Sequence, residues 1–126
     1  EMDIMEHVGF QPNMVHSAVH TKVSNFMNHK GAKKTLPVKD VAGDFHVYSV
    51  EWDGAQIRFF IDDTCYHILE KGERAEDDWP FTQDDAYYLI LNIAIGGSWG
   101  GREGVDLTAF PQHMEVDYVR VFEAIH

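Results

Sequence analysis

Three carboxylates fall within the first six residues, Glu1-Met2-Asp3-Ile4-Met5-Glu6. On an ideal strand successive side chains point to opposite faces, so Glu1 and Asp3 share a face and Glu6 points away. One β-bulge at positions 4–5, setting two residues opposite one, returns Glu6 to the first face. Like charges crowded on one face repel, and the arrangement makes sense where chemistry needs it. Hydrolysis of a glycosidic bond with retention uses two carboxyls about 5–5.5 Å apart, one a nucleophile and the other an acid/base. A third carboxyl between them can hydrogen-bond the nucleophile and help raise the pKa of the acid. Two blander readings stay open: an acidic sheet edge, or the first turn of a helix, where acids are favourable. The β-branched Ile4 and Val8 and the breakers Gly9 and Pro12 oppose the helix.

The elements that must position these groups are strands. Period-two alternation rich in β-branched and aromatic residues predicts strands over 1–8, 15–23, 46–52, 56–62, 66–69, 86–95 and 115–123. Asp53-Gly54 between two of them is a strong hairpin signal. Asp62-Asp63-Thr64 reads as the next turn, so 45–69 is expected to be a three-stranded meander. Segments 28–43, 71–85 and 96–111 read as loops, and the acidic run 73–78 within the second as solvated. About seven strands without a helix of useful length predict a β-sandwich or barrel.

Composition narrows the partners. A net charge of −11 and a pI of about 4.9 exclude nucleic acid, whose affinity rests on clustered Lys and Arg. They equally disfavour an anionic membrane surface and a polyanionic substrate. A neutral polymer or a bound cation is compatible. Cys65 is the single cysteine, so no internal disulfide forms. No apolar run has the length to span a bilayer. The chain opens on Glu rather than Met, which suggests that upstream sequence, with any secretion signal, precedes it.

With these residues in view, E-M-D-I-M-E-H-V-G at 1–9 resembles the signature strand of glycoside hydrolase family 16: Glu, aliphatic, Asp, aliphatic, an optional residue, Glu. The longer version, present here, goes with laminarinases, agarases and carrageenases; Met2 stands where Ile is usual. S-A-V-H-T at 17–21, D-F-H-V-Y-S-V-E-W at 44–52 and W-P-F at 79–81 are also similar to laminarinase segments. So are L-I-L-N-I-A-I-G-G-S-W-G-G at 89–101 and M-E-V-D-Y-V-R-V-F at 114–122. The resemblance implies an all-β, antiparallel jelly-roll sandwich of the concanavalin A-like kind, with a cleft on its concave face. Residues 1–126 would be the C-terminal half of that single catalytic domain. It implies Glu1 as nucleophile, Glu6 as acid/base and Asp3 as the helper between them. The activity implied is endo-hydrolysis of β-1,3-glucosidic bonds in laminarin-type β-glucans, secreted to the extracellular space. Mixed-linkage glucan, agar-type galactan, or a glucan-recognition module without catalysis are the alternatives. All three acids are present, which favours the enzyme over the module.

Further residues have two readings each. Trp99, between two glycine pairs, suits stacking on a sugar ring, where the resemblance also places it; the alternative is a loop anchor. Asn92, inside the apolar run Y-Y-L-I-L-N-I-A-I, needs a local network or a ligand. His20 shares parity with Ala18 and His16; the matching family position reaches the cleft near the acid/base, and a surface histidine is the plain alternative. His16 and His20 lie roughly 13 Å apart along a strand, too far for a metal pair. Catalysis is expected to need no cofactor. Asp117 resembles a carboxylate that binds a structural calcium, with partner ligands from the first half of the domain. The other expected partner is that first half, in cis or from another chain. The 126 residues alone are expected to be inactive, because a free α-amino group would sit on the nucleophile's own residue and the supporting strands would be missing.

Overall fold

The computed structural model describes residues 1–25, 27, 31–82 and 86–123. Positions 28–30 and 83–85 of the two predicted loops lie outside the described residues. The chain divides into two compact units, Glu1–Tyr88 and Leu89–His126.

The first unit is all-β. Strands β1 (Met2–Glu6), β2 (Met14–Val19) and β3 (Ala32–Pro37) form one antiparallel sheet in that order. Strands β4 (Tyr48–Trp52), β5 (Gln56–Ile61) and β6 (Thr64–Glu70) form a second. The predicted meander is therefore present. Its first turn is built by the Asp53 carboxylate, which accepts from the backbone N–H of Ala55 (2.7 Å) and Gln56 (2.9 Å). Its second is turned by Asp62 at φ 51°, a conformation Asp tolerates better than most residues.

The alternation in β5 shows how the sheets meet: Ile57, Phe59 and Ile61 are buried while Gln56, Arg58 and Phe60 are half-exposed. Val19 of β2 packs with Ile57, Phe59 and Leu69 and with Trp79 and Phe81 of the W-P-F segment, and Met2 of β1 lies against this cluster. Val15, Val41 and Ile61 form a second cluster, joined by Met5. Each fully buried side chain of this size contributes roughly 1.5–3 kcal/mol. One face of the β1-β2-β3 sheet is thus committed to the core, which leaves its other face for the acids. Ser17 lies on the core face, fully buried, and its hydroxyl bonds His67 Nδ1 of β6 at 2.7 Å.

Three expectations are corrected. Residues 32–37, read as loop, are strand β3; Lys33, Lys34, Thr35 and Pro37 hide its pattern, as is usual for an exposed edge strand. Asp78, read as part of a solvated acidic run, is buried: it accepts from Ser24 Oγ (2.6 Å), from Thr21 Oγ1 and from Arg74. Burial alone would raise its pKa, but the two hydroxyls and the guanidinium hold it below the usual value. Residues 86–95 and 115–123 join no ladder among the described residues. In the second unit the apolar side chains of Leu89, Ile90, Leu91, Ile93, Val119, Val121 and Phe122 are exposed, so no described strand satisfies the pattern that predicts them.

Candidate active site

Glu1 and His20 face each other as an antiparallel pair: the Glu1 nitrogen donates to the His20 carbonyl, and the His20 N–H to the Glu1 carbonyl, both at 2.9 Å. Asp3 then pairs with Ala18, and Glu6 with His16. Three steps on β1 thus match two on β2, which is the one-residue bulge that parity demands. Because His20, Ala18 and His16 alternate along β2, Glu1, Asp3 and Glu6 all lie on the same face, opposite the core-facing Met2 and Val19. Glu1 is exposed, while Asp3 and Glu6 are half-buried.

Burial and crowding set the protonation of this row. Asp3 is pushed up to about 7, first by burial, then by the charges of Glu1 and Glu6 and a hydrogen bond with Glu1; the terminal ammonium opposes this weakly. Glu6 is raised by burial and by Glu1, with Lys33 opposing. The larger rise therefore falls on the middle carboxyl, whereas the sequence argument placed it on the acid. Asp3 thus holds its proton well above the usual carboxylate range and can donate it to Glu1. Glu6 keeps its proton to higher pH than an ordinary glutamate, which is what a general acid needs.

His20 sits at the other end of the site from the one the resemblance suggests. Its Nε2 lies 3.3 Å from Asp3 Oδ2, beside Glu1 and Asp3, and burial lowers its pKa despite Glu1. Gly31 makes room for it: a Cβ there would stand 2.9 Å from His20 Nδ1. His16 is the imidazole opposite Glu6. It is held at both nitrogens, Nε2 to Gln11 Oε1 at 3.1 Å and Nδ1 to Thr35 Oγ1 at 3.0 Å. Burial, His7 and Lys33 lower its pKa, so the ring is neutral, donating to Gln11 and accepting from Thr35. Sequence reasoning missed Lys33 and Thr35. Recognising β3 would have exposed them, since Lys33 pairs with Ala18 and Thr35 with His16.

The second unit holds the other candidates. Trp99 is half-buried in a loop where Gly96 and Gly97 take φ of 73° and 78°, values open to glycine and strained for other residues. Asn92 is exposed rather than buried, which removes the argument that it requires a partner. Asp117 is exposed, and no cluster of three or more His, Cys, Asp or Glu able to hold a metal occurs among the described residues. Calcium takes six or more oxygens, so the described residues alone do not fit a calcium site and no chemistry here depends on one.

A family model described as Glycosyl hydrolases family 16 matches residues 1–120. A beta-glucanase of Rhodothermus marinus is 47% identical over 97% of this chain and 44% of its own length. Among solved structures, the laminarinase from Rhodothermus marinus superposes with a TM-score of 0.80 at 43% identity, over 87% of this chain and 45% of that one. A non-specific endo-β-1,3(4)-glucanase gives 0.79 at 40% identity, over 87% and 41%. The chain thus spans less than half the length of these relatives. The likeness upholds the expected all-β, antiparallel jelly-roll architecture.

Proposed function

Because the chain belongs to glycosyl hydrolases family 16, we propose that it carries the reacting groups of an endo-acting hydrolase of β-1,3-glucosidic bonds in laminarin-type β-glucans. The single observation that carries this reading is the bulge that puts Glu1, Asp3 and Glu6 on one open face. Glu6, protonated, donates to the glycosidic oxygen as the bond to the anomeric carbon breaks. The Glu1 carboxylate attacks that carbon, giving a glycosyl ester. Glu6, now ionised, takes a proton from water, which cleaves the ester and returns Glu1 to its free form with configuration retained. Asp3 in its protonated form donates to Glu1 and keeps it oriented; His20 in turn fixes Asp3.

Substrate is a proposal resting on relatives named as a beta-glucanase and a laminarinase. A mixed-linkage substrate is the second reading, favoured by the likeness to the non-specific endo-β-1,3(4)-glucanase. Trp99 would stack on a sugar ring, and Asn92 would bind a sugar hydroxyl. Residues 1–126 act in this reading as the C-terminal half of one β-sandwich. The remaining portion would supply neighbours for segments 86–95 and 115–123, and the further oxygens without which Asp117 cannot hold calcium. An extracellular location belongs to this reading, because a glucan polymer would be met outside the cell. Sugar release from laminarin, lichenan and agarose by the intact protein, with the first-formed anomer read by NMR, tests the proposal. Release of β-anomer from laminarin is expected; an α-anomer, or release from agarose alone, overturns it.

A further inference from the structure

The strand register arranges the open face of the first sheet in rows: Glu1 and His20, then Asp3, Ala18 and Lys33, then Glu6, His16 and Thr35. Lys33 lies two strands from the acids, about 10 Å across the sheet. The residue between them is Ala18, which is itself covered and contributes only a methyl group to the row. A four-carbon stem ending in a mobile ammonium can cross that gap or hang free of it, and among the acids its charge acts on Glu6. The other groups that face Glu6 are Glu1 and Asp3 on its own strand, with His7 beside it, His16 and His20 on β2, and Thr35 on β3. Both β2 imidazoles are held toward the neutral form. Apart from the terminal ammonium, Lys33 is thus the one lysine or arginine on this face of the three described strands.

We propose that Lys33 is a positioning residue of this site, an electrostatic counterweight that sets the pH range over which Glu6 can donate a proton. This inference rests on reading Glu6 as the acid/base. Burial and the Glu1 charge both favour a neutral Glu6, and Lys33 is the group that opposes them. Without it Glu6 would hold its proton more firmly and be a weaker donor to the glycosidic oxygen in the first displacement. The balance matters because one carboxyl must serve both steps. The neighbouring Lys34 supplies an internal control. It pairs with the core-facing Ser17, and its charge acts on His67 on the other side of the sheet.

The test is a carbon-13 titration of the Glu6 carboxyl in the intact protein at low salt, with the Glu6 signal identified by its loss in Glu6→Gln. Lys33→Met should raise the Glu6 midpoint by about 0.3–1 pH unit, as expected for one charge at this range. Lys33→Arg should restore it, and Lys34→Met should leave it in place. Near 1 M salt the Lys33→Met effect should shrink, because exposed charges are screened. The alkaline limb of kcat/KM on laminarin should move upward by the same amount. An unchanged midpoint in Lys33→Met, or an equal shift in Lys34→Met, overturns the inference. A shifted midpoint in a protein that cleaves no glucan supports the coupling and counts against the assigned reaction instead.

Discussion

Replacing Asp3 by Asn removes one ionisable group and almost no volume. The Asn amide can donate to Glu1 as the protonated acid does. In the folded protein Asp3 titrates at about 7, against 3.8 for the free side chain. A raised folded pKa contributes stability that is present below the unfolded value and is lost as pH rises through the folded one. The rise is roughly three units, each worth about 1.4 kcal/mol, so full ionisation destabilises the fold by at most about 4 kcal/mol. Asp3 shares its site with two other acids, and part of that penalty relaxes onto them. Asp3→Asn should therefore match the parent protein near pH 4 and exceed its stability by about 2–4 kcal/mol near pH 8. His67 titrates over the same window with opposite sign. Burial and Lys34 depress it to about 4, so its contribution is present above 6.5 and lost on acidification. The informative quantity is thus the difference between variant and parent, in which the distant His67 contribution cancels. Urea denaturation at several pH values from 4 to 8 provides it. A flat difference across that range, or a loss of stability that grows with pH, refutes the reasoning. Activity should fall even as stability rises, as often happens when a strained site is relaxed.

Four further outcomes follow from the same geometry. Glu6→Gln should lose cleavage of natural glucan but retain an aryl glucoside with a good leaving group, which needs no protonation. Glu1→Gln should lose both, so steady-state rates on the two substrates separate the roles. Asp78→Ala leaves the half-buried Arg74 and the hydroxyls of Thr21 and Ser24 without their carboxylate and should lower stability by about 2–4 kcal/mol in urea denaturation; a change under 1 kcal/mol would show the network to be slack. Trp99→Ala should raise KM for laminarin about three- to tenfold, and an unchanged KM would return Trp99 to the role of loop anchor.

The carboxylate row was legible because parity is strict. Glu1, Asp3 and Glu6 cannot share a strand face without one extra residue, and the register supplies it between Asp3 and Glu6. The Asp53 turn was legible for a related reason, since its carboxylate builds the turn itself, and the Asp62 turn because Asp tolerates the positive φ found there. Strand β3 was not, because an edge strand with one weakly buried face carries no clean alternation. That omission concealed Lys33 and Thr35 and the true neighbours of His16. The burial of Asp78 was hidden as well: its partners Thr21 and Ser24 are more than fifty residues away, and an acidic run gives no sign of which member turns inward. For 86–95 and 115–123 the pattern reports a preference for burial, whereas a ladder needs a neighbour. His20 had two readings, a cleft position near the acid/base or a surface histidine, and the ion pair now sets it beside Asp3.

The central claim is that Glu1 forms the bond to sugar and Glu6 moves the proton. Incubating the intact protein with a 2-deoxy-2-fluoro laminaribioside bearing an activated leaving group should slow both displacements and, with that leaving group, let the ester accumulate. Digestion and mass spectrometry then locate it. The account predicts one fluorosugar, carried by Glu1, and none in Glu1→Gln. A label on Asp3 or Glu6, or turnover of the inhibitor with no ester at any stage, would contradict it.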